Sequence, residues 1–249
     1  MEKIEIDTIF SAGFRCHSPD LLKSFGLRKK SGPFDYMFID LQTLFEVIGT
    51  GFEDFCSDIV VFNRDKRTCD FYYRKHNYST DLFTELYDNP IVYMRENLSA
   101  NNFVINQNYL NTAHSNNLYD WPKICIFAHH DITKKYVYDT FMRRIDRFKA
   151  ANPKRTCLLY ISKILTITNL EEHMDSMIQM KKDKGVSMYL IAILCCDRLE
   201  SSIHFKDNVL FIVRNVGSYD AQLNYGVGTD NNLDWTGDVA VMKEYFTFT

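Results

Sequence analysis

Apolar and polar residues alternate from Lys3 to Phe10, and the run ends in a small-residue turn, Ser11-Ala12-Gly13. A period of two predicts a strand there. From Pro19 the spacing changes to a helical one, with Leu21, Leu22 and Phe25, and Gly26 closes it. Leu41 to Gly51 reads as a helix with Leu41, Leu44, Phe45 and Ile48 on one face. Between Phe52 and Asn117 the pattern breaks into short apolar runs, such as Ile59-Val60-Val61-Phe62 and Phe71-Tyr72-Tyr73, separated by Asn-rich and Tyr-rich loops. These runs predict short strands.

The pattern then becomes regular. A strand ending at Ile126-Phe127 leads to a helix from about Lys134 to Ala150, and after Pro153 come a strand at Cys157 to Ser162, a helix at Leu170 to Lys184 closed by Gly185, a strand at Met188 to Cys196 and another at Val209 to Val213. Strand, helix and strand in that order predict a parallel pair joined by a crossover. The tail holds a loop rich in Gly, Asn and Asp from Tyr225 to Asn232, followed by a final short helix or strand. The expected architecture is a single α/β domain over residues 1–249, with a mixed, mostly parallel sheet flanked by helices.

Composition narrows the function classes. With 46% hydrophobic and 14% aromatic residues and few prolines, the chain can bury a sizeable core. A net charge of −3 gives no electrostatic reason for a nucleic-acid partner, and clusters such as Arg28-Lys29-Lys30 are too short to change that. The seven cysteines form no CxxC pair and most lie in apolar runs, as a reducing compartment permits. No apolar run approaches the roughly 20 residues that span a bilayer, and no leader opens the chain. The expectation is a cytoplasmic protein with no membrane partner, no cofactor and no metal.

Candidate chemistry gathers at two places. Cys16 falls where the first strand hands over to a helix N-terminus, and the partial positive charge of a first helical turn favours thiolate over thiol. The competing reading is a buried cysteine acting as a small apolar residue. The second place is Ala128-His129-His130-Asp131, at the end of an apolar strand. One of these histidines is a natural general base for Cys16. Neighbours on an extended segment point to opposite faces, so only one would face a given site. Asp131 either orients that histidine or caps the following helix, and Asp234 and Asp238 are further candidates for an acid.

Two charged positions stand out among apolar neighbours. Asp35, in Gly32-Pro33-Phe34-Asp35-Tyr36, needs a cationic partner or backbone donors if it is buried, or else it serves as a turn or capping residue. Arg144 falls within or at the edge of the stripe formed by Val137, Phe141, Ile145 and Phe148, while Arg143 and Arg147 flank that stripe on a more polar side. A core-facing arginine requires a partner, with Asp35 and Asp131 as candidates, unless its head reaches water.

Phe10-Ser11-Ala12-Gly13-Phe14-Arg15-Cys16, Leu27-Arg28 with Gly32-Pro33-Phe34-Asp35-Tyr36, Phe127-Ala128-His129-His130-Asp131 and Arg143-Arg144-Ile145-Asp146-Arg147-Phe148 together resemble the family named putative papain-like cysteine peptidase, a domain of unknown function in bacteria and some large DNA viruses. The resemblance covers mainly residues 5 to 165. It implies a Cys nucleophile at Cys16 and a His base at His129 or His130. Arg15 stands where relatives often carry Asn. It also implies an α+β papain-like fold, against which the periodicity of the second half argues. A thiolate–imidazole pair performs acyl transfer of any kind. The readings are a peptidase-like hydrolase, an acyltransferase acting in glycan modification with the same pair, and a non-catalytic binding module in which Cys16 is inert. The substrate would be a peptide, a glycan or a small molecule.

Overall fold

The computed structural model describes residues 2–13, 17–57, 59–63, 68–72, 102–106, 125–127, 130–132, 134–162, 165, 167–216 and 234–249. In chain order the elements are β1 (Ile4–Ile6), β2 (Thr8–Ser11), α1 (His17–Ser24), β3 (Phe38–Ile39), α2 (Leu41–Gly49), β4 (Ile59–Asn63), β5 (Thr68–Tyr72), β6 (Asn102–Asn106), β7 (Cys125–Ile126), α3 (Lys135–Lys149), β8 (Thr156–Ile161), α4 (Leu170–Asp183), β9 (Tyr189–Cys196), β10 (Ser202–Lys206), β11 (Val209–Asn215), α5 (Thr236–Tyr245) and β12 (Phe246–Phe248).

The central sheet has the order β10-β11-β9-β8-β2. Its strands β2, β8, β9 and β11 are parallel, and only the edge strand β10 runs antiparallel, so the sheet is mixed and mostly parallel as the periodicity predicts. Both faces are covered, which is why these strands read as continuous apolar runs. Ile9, Leu159, Ile161, Ile191, Ile193, Leu210 and Ile212 pack on one face with Leu21 and Leu22 of α1 and Val239 and Met242 of α5. Phe10, Leu158, Tyr160, Leu190, Ala192, Leu194 and Phe211 pack on the other with α2, Phe141, Ile145 and Phe148 of α3, and Met174, Met177 and Ile178 of α4. The result is a three-layer α/β/α arrangement. Among the described residues, no helix is long and apolar enough to cross a membrane.

A second sheet has the order β3-β7-β6-β4-β5 and is antiparallel throughout. It joins the same core through Ile39, Cys125 and Phe127, all of which are buried with α2 and α3. The apolar runs at residues 59–62 and 71–72 are strands of this sheet. Most of the Asn-rich and Tyr-rich stretch between residues 73 and 117, and residues 225–232, lie outside the described residues.

Local signals explain the helix limits. Asp40 caps α2 by accepting the Thr43 N–H at 2.9 Å, and Gly51 beyond the helix takes φ +63°. Asn169 caps α4 through the Glu172 N–H, with acids in the first turn and lysines in the last. The β10–β11 hairpin turns on Asp207 and Asn208, both at positive φ, as a two-residue turn of this hand requires.

Candidate functional site

The carboxyl end of β2 is built to turn sharply into α1. Ala12 still holds the sheet, its N–H donating to the Leu159 carbonyl at 2.8 Å. Gly13 then takes φ +77°, and a Cβ there would lie 2.1 Å from Ile39 Cγ2, so only glycine fits. Three groups close a small ring across the turn. Ser11 and Ser18 share a hydrogen bond at 2.7 Å, Ser18 Oγ donates to the Gly13 carbonyl at 3.2 Å, and the Gly13 N–H points back at Ser11 Oγ at 3.4 Å. The strand end and the first turn of α1 are thereby tied together on both sides of residues 14–16. Cys16 itself lies outside the described residues, and its bonded neighbour His17 opens α1.

The next turn carries Asp35, which is 1% exposed. Its carboxylate is ion-paired to Arg28 and accepts the Gly32 N–H at 3.1 Å, while Arg28 also donates to Ser31 Oγ at 2.8 Å. Burial raises the Asp35 carboxyl above its ordinary 3.8, and the charges of Arg28 and Arg144 and the Gly32 hydrogen bond oppose that rise. Tyr36 follows at φ +59°, a conformation that costs a non-glycine residue roughly 1–3 kcal/mol and persists where neighbours hold it. Here its hydroxyl donates to Asp20 of α1 at 3.0 Å, and Arg28 lies 5.7 Å from its ring centre. The turn is thus joined to the first half of α1.

The histidine corner rests on α3. His130 packs edge-on against Phe141, with ring centres 5.2 Å apart, and Phe141 in turn meets Phe127 at 5.2 Å. The His130 N–H donates to the Phe127 carbonyl at 3.2 Å. Beneath lies a wall of buried rings, in which Phe34 contacts Phe52, Phe55 and Phe148, and Phe10 contacts Phe148. His129 lies outside the described residues. Asp131 is exposed, with Lys134 Nζ at 3.8 Å.

Arg144 sits at the edge of the α3 stripe, its guanidinium 5.1 Å from the Phe141 ring centre. Burial lowers its pKa below the ordinary guanidinium value, and Asp35 and Tyr36 counter this while Arg28 and Arg147 add to it. The ion pair to Asp35 is made by Arg28, so Arg144 acts on that carboxylate through space only. Arg143 donates to Thr140 Oγ1 and Arg147 to the Arg143 carbonyl, both on the solvent side.

Residues 7–198 match the family described as "Putative papain-like cysteine peptidase (DUF1796)". The chain belongs to this family. Comparisons with curated proteins and with solved structures found no match. In this member of the family, the matched segment holds residues 14–16, the Asp35 turn, the histidine corner and α3, but not β10, β11 or α5.

Outside that segment, Asp238 is buried and paired with Arg214 at 3.1 Å, at the end of β11. Three strand spacings separate β11 from β2, about 14 Å. Asp238 therefore belongs to a local ion pair, with Arg214 stacked 4.8 Å from the Trp235 ring centre. Asp234 is exposed and accepts the Thr236 N–H. Among the described residues no cluster of His, Cys, Asp and Glu has the make-up of a metal site. Sequence reasoning missed Ser18, Asp20, Arg28 and Tyr36, whose roles follow from the two turns and not from any spacing.

Proposed function

We propose that this protein is a thiol-dependent hydrolase of the cysteine peptidase type, with Cys16 as nucleophile and His129 or His130 as base. The observation that carries the reading is the stapled turn from β2 through Gly13 into α1, which brings the chain to a helix N-terminus one residue after Cys16. The first-turn N–H groups of α1 favour a negative sulfur and a negative oxygen. The imidazole takes the thiol proton as sulfur attacks the carbonyl carbon, and the imidazolium returns it to the leaving group as the acyl–sulfur bond forms. Water, deprotonated by the same imidazole, then cleaves the thioester and frees the thiol. Asp35, Arg28, Tyr36 and Asp20 keep α1 in place. Transfer to an amine or hydroxyl in place of water would make the same intermediate an acyltransferase's.

Selective alkylation tests this. Cys125 and Cys157 are buried with their thiols pushed up, and burial lifts Cys56 to about 12 and Cys196 to about 11. Iodoacetamide labelling from pH 5 to 9, mapped by mass spectrometry, should find Cys16 reacting first, with onset near pH 6. Substituting the base, His129→Ala or His130→Ala, should move that onset towards the free-thiol value of about 8.5. A Cys16 no faster than the other cysteines, and unmoved by either substitution, would leave a non-catalytic binding module.

A further inference from the structure

Among the described residues of this region, Arg144 is a half-buried charge at the edge of the core with no ion-pair partner. Its Nε and Nη1 are closed off from solvent and have no hydrogen-bond partner, and among the described residues no carboxylate pairs with it. Asp35, the acid whose charge acts on it, already engages Arg28 and the Gly32 N–H through its Oδ2. A guanidinium cannot shed its charge, and a buried donor left unsatisfied opposes folding. An apolar residue at this edge of the stripe would avoid that cost. Proteins retain such strain where a ligand relieves it.

The position is also central. Through Phe141 the guanidinium abuts the His130 corner, the two groups lying 5.1 and 5.2 Å from the same ring. Through Asp35 and Tyr36 it lies in the field of the turn that holds Asp20 on α1. Arg28 and Arg144 both act on the buried carboxylate of Asp35, and Arg147 adds to the positive field at Arg144, so the local balance around Arg144 is cationic. Planar guanidinium donors match carboxylate and phosphate oxygens in pairs.

We propose that Arg144 is the anion-recognising residue of this site and that the acyl substrate carries a carboxylate or phosphate group that it holds. The proposal rests on the thiol-enzyme reading for the word substrate, but the anion site stands or falls by itself.

Two measurements test it. Iodoacetate and iodoacetamide alkylate a thiol by the same displacement of iodide and differ in one negative charge. At Cys16 the iodoacetate-to-iodoacetamide rate ratio should exceed that of free cysteine by about tenfold and fall by about that factor in Arg144→Met, which keeps an apolar stem on Phe141. Independently of Cys16, inorganic phosphate should raise the Tm of the wild-type protein by a few degrees over chloride at matched ionic strength, and leave Arg144→Met unmoved. A ratio effect alone supports the proposal with a carboxylate, and a phosphate effect alone supports it with a phosphate. A wild-type ratio equal to that of free cysteine, together with no phosphate effect on wild-type Tm, overturns it. If Cys16 is unreactive, the thiol-enzyme reading fails and the phosphate measurement alone decides the anion site.

Discussion

At the scale of single residues, the Asp35 turn shows how burial and charge oppose one another. Burial lifts the Asp35 carboxyl and Arg28 pulls it back, with burial the larger effect. Arg28→Met should leave that carboxylate buried with no direct cation, costing about 3–5 kcal/mol at pH 7. The sign of the pH dependence follows. With its folded value raised above 3.8, Asp35 binds a proton in the native state where the unfolded chain does not. Stability from this group is therefore greatest at low pH and is lost as pH rises through the folded value. Urea unfolding at pH 7 and pH 4.5 should show the Arg28→Met penalty shrinking on acidification. The need of Asp35 for a partner was legible from its apolar neighbours. The partner was not, because Arg28 reaches it only through the turn that puts Tyr36 at φ +59°. Arg144 at the edge of the α3 stripe was legible from the helical period alone.

At the scale of elements, those with strong periodicity on one covered face declared themselves. α2, α3, α4, β8, β9 and β11 lie within a residue or two of the limits their patterns predict. β10 did not, although Ser202-Ile203-His204-Phe205-Lys206 alternates and Asp207-Asn208 is a hairpin turn pair, because its edge position buries little and its polar face looks like a loop. The pairing of β1 with β12 joins residues at opposite ends of the chain, which no local pattern encodes. α4 carries a prediction of its own. His173 is buried in its first turn, and desolvation lowers it from 6.5. Below pH 6.5 the unfolded chain takes up a proton that the native state resists, so this group's contribution falls as pH falls. Thermal unfolding of wild type should lose stability from pH 7 to pH 5 more steeply than His173→Gln.

For the whole molecule, the two faces of the central sheet divide the labour. One face, with α2, α3 and the antiparallel sheet, carries the ring wall beneath the histidine corner, while the other packs α1, whose first turn follows Cys16, together with α5 and the paired strands β1 and β12. Phe246 is 1% exposed, contacts Tyr189 with ring centres 5.8 Å apart, and opens the strand that pairs with β1. Phe246→Ala should cost about 3–5 kcal/mol in denaturant unfolding. That loss should leave the onset of Cys16 alkylation at its wild-type pH while the protein remains folded.

The family segment ends at residue 198, just beyond β9. Yet every residue of β9 from Leu190 to Cys196 has its partner in β11, which comes afterwards. The matched segment and the complete sheet thus end at different places in this protein. Without β11 the backbone groups of β9 would stand as an open edge, so the strands that follow the matched segment are what close this sheet.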